Sequence, residues 1–265
     1  PVYGAFDASA SDAKRPIIAV PMNRNEDNRY SVDYSAFEAA IVKHDVKVFI
    51  HCNPHNPVGH VWTEDEMDQL FSICKRHGVL IISDEIHQDL VAGPLPFTSA
   101  LTVSNGAYAN NIIAMSSLSK SFNMASLHHA EVIIPNEELR IQYNAFKGLV
   151  YHTDSDVIAE TAITAAYTHP EAEKWLADLL AVVKENYDYL CHNLLIALPK
   201  LRISPMDGTY LVWIDFGAYV KAEDIRNIFE NQCGIAPSFG EWFGGERYAT
   251  FVRLNLATSL ENIKK

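Results

Sequence analysis

The sequence predicts an α/β fold, with a large domain built on a mainly parallel sheet flanked by helices and a small C-terminal α/β domain. Three short aliphatic runs, VKVFI, VLIIS and IIAM, each end at polar or small residues, as buried parallel strands do. A segment with the apolar spacing of a helix separates the first two runs, and loop and helix pieces separate the second from the third. After a long helical stretch, strands and helices alternate again. We therefore assign residues 1–169 to the large domain and residues 170–265 to the linking helix and the small domain.

Residues 46–83 form the clearest unit of the large domain, a strand, a helix and a second strand. Thr63 and Glu66 have the spacing of a capping box, in which a hydroxyl and a carboxylate satisfy the first free N–H groups of a helix. A crossover of this kind joins parallel strands in one sheet. Asn56 and Asp84, which follow the two strands, are therefore expected at the same edge of the sheet.

The same patterns predict the other elements. Either Asp33 or Ser35 caps a helix that continues to Val42. The remaining predicted elements are, in order, a strand at IIAVPM (17–22), loop and helix pieces at 94–111, a strand at EVIIP, helices at NEELRIQYNAFKGLV and DSDVIAETAITAAYTH (154–169), a helix from Pro170 to about Leu198, a strand at GTYLVWIDF, a helix at KAEDIRNIFENQCG, a strand at RYATFVRLNLA and a last helix beginning at SLENIKK.

Composition excludes several classes of function. The chain has 265 residues, of which 21 are basic and 33 acidic, and its net charge of −12 argues against nucleic acid or an anionic membrane as a partner. No apolar run approaches the roughly 18 residues of a membrane span. The four cysteines contain no CxxC pair, which indicates reduced thiols in a cytoplasmic protein. Pro54 separates His51 from His55, so we expect no metal site there.

Three reactive side chains follow the ends of the three aliphatic strands: Asn56, Asp84 and Lys120. Ligands of open α/β sheets bind outside the carboxyl ends of the strands. An amide, a carboxylate and an amine at one edge suit pyridoxal phosphate, which needs a lysine for its Schiff base, a carboxylate for its pyridine nitrogen and a donor near its phenolic oxygen. Taken singly, each residue has an ordinary alternative, namely a turn asparagine, a helix-capping carboxylate and a solvated lysine.

The motifs NPHNPVGHVWTEDE, SDEIHQDL and SKSFNMASL resemble, in this order, the signature region of fold-type I pyridoxal-phosphate enzymes, the class I/II aminotransferase superfamily. Within it they are most similar to the MalY/PatB branch of cystathionine β-lyase-like C–S lyases. The resemblance runs from PVYGAF to FVRLNLATS, nearly the whole chain. It implies the aspartate aminotransferase fold, that of PLP-dependent transferases, with pyridoxal 5′-phosphate as cofactor.

The resemblance also implies a role for each matching residue. The implied residues are Lys120 as Schiff-base lysine and base, Asp84 at the pyridine nitrogen, Asn56 and His87 at the phenolic oxygen, Tyr3 stacked on the ring, Ser117 and Ser119 at the phosphate, and Arg253 at the substrate α-carboxylate. Tyr3 and His87 retain the alternative of packing in the core, and Arg253 that of an exposed strand residue. Many relatives have a basic residue where this chain has His128, which leaves the phosphate affinity open.

The implied reaction is the cleavage of cystathionine or a related cysteine S-conjugate to a thiol, pyruvate and ammonia. An aminotransferase of the class I/II type is one alternative, because fold and cofactor do not fix the reaction. A catalytically inactive fragment or regulatory binding protein on the same fold is another. Relatives are homodimers that act on small amino acids, and we expect the same here. We also expect the chain to lack the family's N-terminal segment, including a phosphate-binding loop, and to be truncated in its last helix.

Overall fold

The computed structural model describes residues 1–150 and 157–265. Its strands are β1 (Asn23–Arg24), β2 (Tyr30–Ser31), β3 (Val48–Cys52), β4 (Leu80–Asp84), β5 (Ile112–Ser116), β6 (Glu131–Ile133), β7 (Arg202–Ile203), β8 (Leu211–Asp215), β9 (Ser238–Phe239) and β10 (Phe251–Asn255). Its helices are α1 (Ala5–Asp12), α2 (Tyr34–His44), α3 (Glu64–Arg76), the short α4 (Val103–Gly106) and α5 (Leu118–Ser121), α6 (Glu137–Leu149), α7 (Val157–Thr168), α8 (Pro170–Ala197) and α9 (Leu260–Lys264).

The first sheet has the strand order β3-β4-β5-β6. Strands β3, β4 and β5 are parallel, and β6 is antiparallel to β5. Cys52 pairs with Asp84, and Asp84 pairs with Met115, so the carboxyl ends of the three parallel strands lie side by side. Helix α3 covers one face through Met67 and Phe71, both fully buried. The predicted strand, helix and strand of residues 46–83 are confirmed.

The predicted helix caps are present at two helix starts. The Thr63 hydroxyl accepts from the Glu66 N–H at 3.2 Å, and the Glu66 carboxylate accepts from the Thr63 N–H at 2.9 Å, which completes the capping box. Burial raises the pKa of Glu66, but the hydrogen bonds from His60 and Thr63 outweigh it and hold that pKa at about 2. Asp33, rather than Ser35, caps α2 by accepting from the N–H of Ala36 at 2.9 Å.

The second sheet has the strand order β7-β8-β10-β9 and is antiparallel throughout. Its core contains Val183 of α8 together with Val212, Ile214 and Val252. Besides the apolar cores of these two sheets, a further apolar cluster joins the two halves of the chain. Its buried members are Tyr30, Val58, Trp213, Phe243, Tyr248 and Phe251. Two sheets with helices confirm the predicted α/β class. The domain boundary at residue 170, the first residue of α8, stays a prediction.

Three predicted elements need correction. Residues 17–22 are not a strand, because no neighbouring strand pairs with them in the described part of the chain, and Ile17 and Ile18 are exposed. The helix predicted at KAEDIRNIFENQCG contains a 3₁₀ turn and a π-helical segment, Asn227–Gln232, which ends just before the positive φ of Gly234. Only β10 of RYATFVRLNLA is a strand. Of the helix predicted over 154–169, residues 154–156 lie outside the described ones.

A tight backbone contact holds the second sheet against the loop after β3. The Gly59 carbonyl accepts from the N–H groups of Asp207 and Gly208 at 3.0 and 2.8 Å. A Cβ atom at Gly208 would lie 2.7 Å from the Pro54 Cβ, so no larger residue fits there without a shift. Arg29 adds an ion pair to Asp207 at 2.6 Å. This junction fixes where residues of the second sheet meet the carboxyl edge of the first.

Candidate functional site

The structure brings the three reactive side chains of the strand ends to one edge of the first sheet. Asp84 is the last residue of β4, Asn56 lies in the loop after β3, and Lys120 lies in α5, directly after β5. Asn56 is buried, whereas Asp84 and Lys120 are half-buried. The parallel pairing of the strands makes these positions neighbours although they are far apart in the chain.

Asp84 and Lys120 interact electrostatically without forming an ion pair. Burial raises the pKa of Asp84 above its ordinary value, and a hydrogen bond from the Ile86 N–H at 3.1 Å and the charge of Lys120 only partly oppose it. Within the described residues, the Lys120 ammonium makes no hydrogen bond or ion pair. Both groups therefore remain available to a ligand placed between them.

His87 presents a buried, neutral imidazole with an unused nitrogen. The side chain is almost fully buried and contacts Tyr210 edge-to-face, with 6.0 Å between ring centroids. Within residues 1–150 and 157–265, its Nδ1 has no hydrogen-bond partner. Burial lowers the pKa of His87 to about 3, helped by the charges of Lys120 and Arg253. A buried polar atom without a protein partner is uncommon and is free to pair with a ligand atom or a water molecule.

Arg253 links the two sheets at the site. Its Nη1 donates to the Asn56 Oδ1 at 2.8 Å, and its Nη2 donates to the Ser238 hydroxyl at 2.9 Å. The guanidinium lies over the Phe243 ring, 4.7 Å from the centroid. Since Asn56 accepts through its oxygen, its Nδ2 donor is directed away from Arg253.

The guanidinium of Arg253 is half-buried and still has N–H groups that the bonds to Asn56 and Ser238 do not use. Burial lowers the pKa of Arg253, and the neighbouring Tyr3 and Tyr210 raise it. A guanidinium stays protonated in proteins and carries five N–H groups, of which the two hydrogen bonds to Asn56 and Ser238 use two. The others form a planar set of donors that suits a carboxylate.

The structure does not test the predicted contacts of Ser117 and Ser119 with the cofactor phosphate or of Tyr3 with the cofactor ring. The Ser117 hydroxyl donates to the His129 carbonyl at 2.6 Å and accepts from the Ser119 N–H at 3.1 Å, so it caps α5. In this arrangement its proton is not available to a phosphate. Ser119 is half-buried, and Tyr3 is 39% exposed and packs edge-on against Phe6. The roles of Ser117, Ser119 and Tyr3 stay predictions.

Three residues of the site were not identified from the sequence: Tyr210, Ser238 and Phe243. Tyr210 immediately precedes β8, and the other two belong to the loop IAPSFGEWFGGE. The only sequence signal was that this loop is rich in aromatic residues and glycine. Their roles follow from contacts with Arg253 and His87, which are distant in the sequence.

Other site classes find no support in the described parts of the chain. Across residues 1–150 and 157–265, no three His, Cys, Asp or Glu side chains are grouped so that they could hold a metal ion. None of the helices described is both long enough and apolar enough to span a membrane. The candidate site is therefore the edge that carries Asn56, Asp84, His87, Lys120 and Arg253.

The sequence is similar to one protein family and to individual proteins of known name. The sequence model of the family "Aminotransferase class I and II" matches residues 1–265. Protein MalY of Escherichia coli (strain K12) is 33% identical over all of this chain and 66% of its own length. Cystathionine beta-lyase PatB of Bacillus subtilis (strain 168) is 31% identical over all of this chain and 67% of its own length.

A solved structure has the same fold. The PLP-bound C-S lyase from Staphylococcus hominis has a TM-score of 0.91 and 29% identity, over all of this chain and 66% of the other. The chain thus spans about two thirds of the length of the proteins it resembles.

We predict that His87 stays neutral in the folded protein between about pH 5 and about pH 8, because its buried pKa is about 3 against an ordinary value of 6.5. Histidine NMR resonances, assigned by comparison with His87→Asn, should show no titration of His87 over this range. Because the unfolded chain protonates His87 first as the pH falls, the residue also lowers stability below about pH 6.5. A midpoint for His87 near its ordinary value would contradict the buried environment.

Proposed function

This chain belongs to the class I and II aminotransferase family, and we propose that it is a pyridoxal-phosphate-dependent C–S β-lyase. Its substrate would be cystathionine or a related cysteine S-conjugate, and its products a thiol, pyruvate and ammonia. Family and fold agree with the resemblance seen in the motifs. The observation that carries the proposal is the convergence of Lys120, Asp84, an unpartnered His87 and Arg253 at one sheet edge.

The residues present fit the cofactor. The Lys120 amine has no partner within the described residues and is free to react with the cofactor aldehyde. The half-buried carboxylate of Asp84 would pair with the ring nitrogen. The unpartnered Nδ1 of His87 and the Nδ2 of Asn56 would face the phenolic oxygen. When bound, pyridoxal phosphate supplies an electron sink for the substrate α-carbon. A carboxylate at Asp84 maintains this property because its charge favours the protonated ring nitrogen.

The side chains divide the remaining work between binding and proton transfer. Arg253 would bind the substrate α-carboxylate through its free N–H groups, which fixes the orientation of the substrate in the site. Lys120 would accept the α-proton at Nζ, as a general base. The bond between the β-carbon and sulfur then breaks, and the sulfur leaves as a thiolate. Hydrolysis of the remaining carbon skeleton gives pyruvate and ammonia.

An aminotransferase would use the same residues, because it begins with the same proton removal. The geometry does not separate the two reactions. The lyase is favoured because a cystathionine β-lyase at 31% identity and a C–S lyase structure with a TM-score of 0.91 match the whole chain. For the location we propose the cytoplasm. All four cysteines are unpaired, which suits a reducing compartment.

We predict that pyridoxal phosphate gives the protein a visible absorption band that borohydride removes, leaving the cofactor attached to Lys120. Pyruvate release from cystathionine should follow, and Lys120→Ala should abolish the band and lower kcat by at least about 10³-fold, because the variant lacks both anchor and base. Lys43→Ala is the matched control, since Lys43 is exposed on α2.

Two outcomes would overturn this function. Transfer of the amino group to a 2-oxo acid without pyruvate release would assign the protein to the aminotransferases. No trapped cofactor at Lys120 in the wild-type protein would leave a binding protein without enzymatic activity.

We also propose that the whole protein is a homodimer. Helix α6 exposes Ile141, Phe146 and Leu149, each with more than 60% of its surface accessible, and a large apolar patch marks an interaction surface. Sedimentation of the whole protein should give twice the mass of one chain, and Phe146→Glu should shift the population toward monomer. A fully active monomer would exclude the dimer, and a dimer indifferent to Phe146→Glu would exclude α6 as its interface.

A further inference from the structure

Lys120 lies in a helix that is too short to be stable without contacts to other parts of the chain. Helix α5 has only four residues, Leu118–Ser121, and a helix of one turn is not stable by itself. The position of the Lys120 amine therefore depends on contacts at both ends of the turn. At the N-terminal end, Ser117 provides the cap and the bond to the His129 carbonyl.

The C-terminal end of the turn is held by a different segment. The Ser121 hydroxyl, which is fully buried, donates to the Asp89 Oδ2 at 2.7 Å. Ser121 is the residue after Lys120. Asp89 lies two residues after His87, in the segment that starts at Asp84. Beyond the pairing of β4 with β5, this hydrogen bond thus joins the turn that carries the amine to the segment that carries the carboxylate and the imidazole.

Helix α7 supports the same bond. The Tyr167 hydroxyl donates to the same Asp89 oxygen at 3.1 Å. Burial and then the charge of Asp89 raise the pKa of Tyr167, so it remains a donor. Its ring packs edge-to-face on Phe122 at 5.8 Å, and Phe122 stacks on Trp175 of α8 at 5.6 Å. The carboxylate is therefore oriented from two sides.

We infer that Asp89 and Ser121 are a positioning pair for Lys120. Their hydrogen bond fixes the distance between the amine and the groups on the β4 side of the site, Asp84 and His87. Neither residue touches the reacting atoms. The inference rests on the proposed function of Lys120 and adds two residues to it. A misplacement of about 1 Å in an active site lowers rates by up to about 100-fold, so loss of this bond should be visible in kinetics.

The test compares Ser121→Ala, Asp89→Ala and the double variant in the whole protein. Two rates are measured: the attachment of pyridoxal phosphate to Lys120, trapped with borohydride and located by peptide mass spectrometry, and kcat for pyruvate release. Each single variant should lower both by about 10- to 100-fold. The double variant should be no slower than Asp89→Ala alone, because Asp89→Ala already removes the hydrogen bond to Ser121 together with the one to Tyr167. KM should change by less than about twofold, since Arg253 is untouched.

Two further variants separate positioning from general stability. Asp89→Asn keeps an acceptor oxygen for Ser121 and should recover rates to within about tenfold of wild type. Asp188→Asn removes an exposed carboxylate of α8 that pairs with Lys184, and should behave as wild type. If Asp89→Ala does not fold, Ser121→Ala together with Asp89→Asn carries the test.

Wild-type rates in Ser121→Ala would overturn the inference, as would additive losses in the double variant or losses seen only in KM. Failure of the proposed function looks different. In that case the wild-type protein itself attaches no cofactor at Lys120, so the variants cannot differ from it in cofactor attachment.

Discussion

The hydrogen bond from Arg253 to Asn56 is the interaction on which the site depends. It joins residues that are 197 positions apart and belong to different sheets. Burying a guanidinium is costly unless its N–H groups are satisfied, and Asn56 and Ser238 accept hydrogen bonds from Arg253 while the Phe243 ring adds a cation–π contact. The contact exists because the two sheets meet at the backbone junction of Gly59 and Gly208, where a side chain would not fit. The packing of the two sheets against each other therefore determines which groups meet in the site.

Burial is the largest influence on the pKa values of His87 and Asp84. His87 is neutral because its imidazole is enclosed and lies near two cations, whereas the Asp84 carboxylate has the Lys120 charge to oppose the effect of burial. The first sheet therefore offers a carboxylate, a neutral ring nitrogen and an amine, and the second sheet offers a cation. This division suits a cofactor held by the first sheet and a substrate carboxylate held by the second.

The sequence predicted the parts of the fold that depend on local patterns. Strands β3, β4 and β5 follow from short aliphatic runs, and the shared edge of Asn56, Asp84 and Lys120 follows from their parallel order. Residues 17–22 have a strand-like composition, but a strand requires a neighbour that no local pattern reveals. The partners of Arg253 were beyond prediction for the same reason, since Ser238 and Asn56 meet it only after both sheets have formed. Asp89 lay within a recognised motif, yet its bond to Ser121 joins two separate strand ends.

The most direct measurement of the central claim is the steady-state kinetics of Arg253→Lys with cystathionine. Lysine keeps the positive charge but cannot hold Asn56 and Ser238 while it binds a carboxylate with parallel donors. If Arg253 assembles the substrate site across the two sheets, KM should rise by at least about tenfold, while pyridoxal phosphate still attaches to Lys120 at a rate lowered only by the lost bond to Asn56. An unchanged KM would contradict the account.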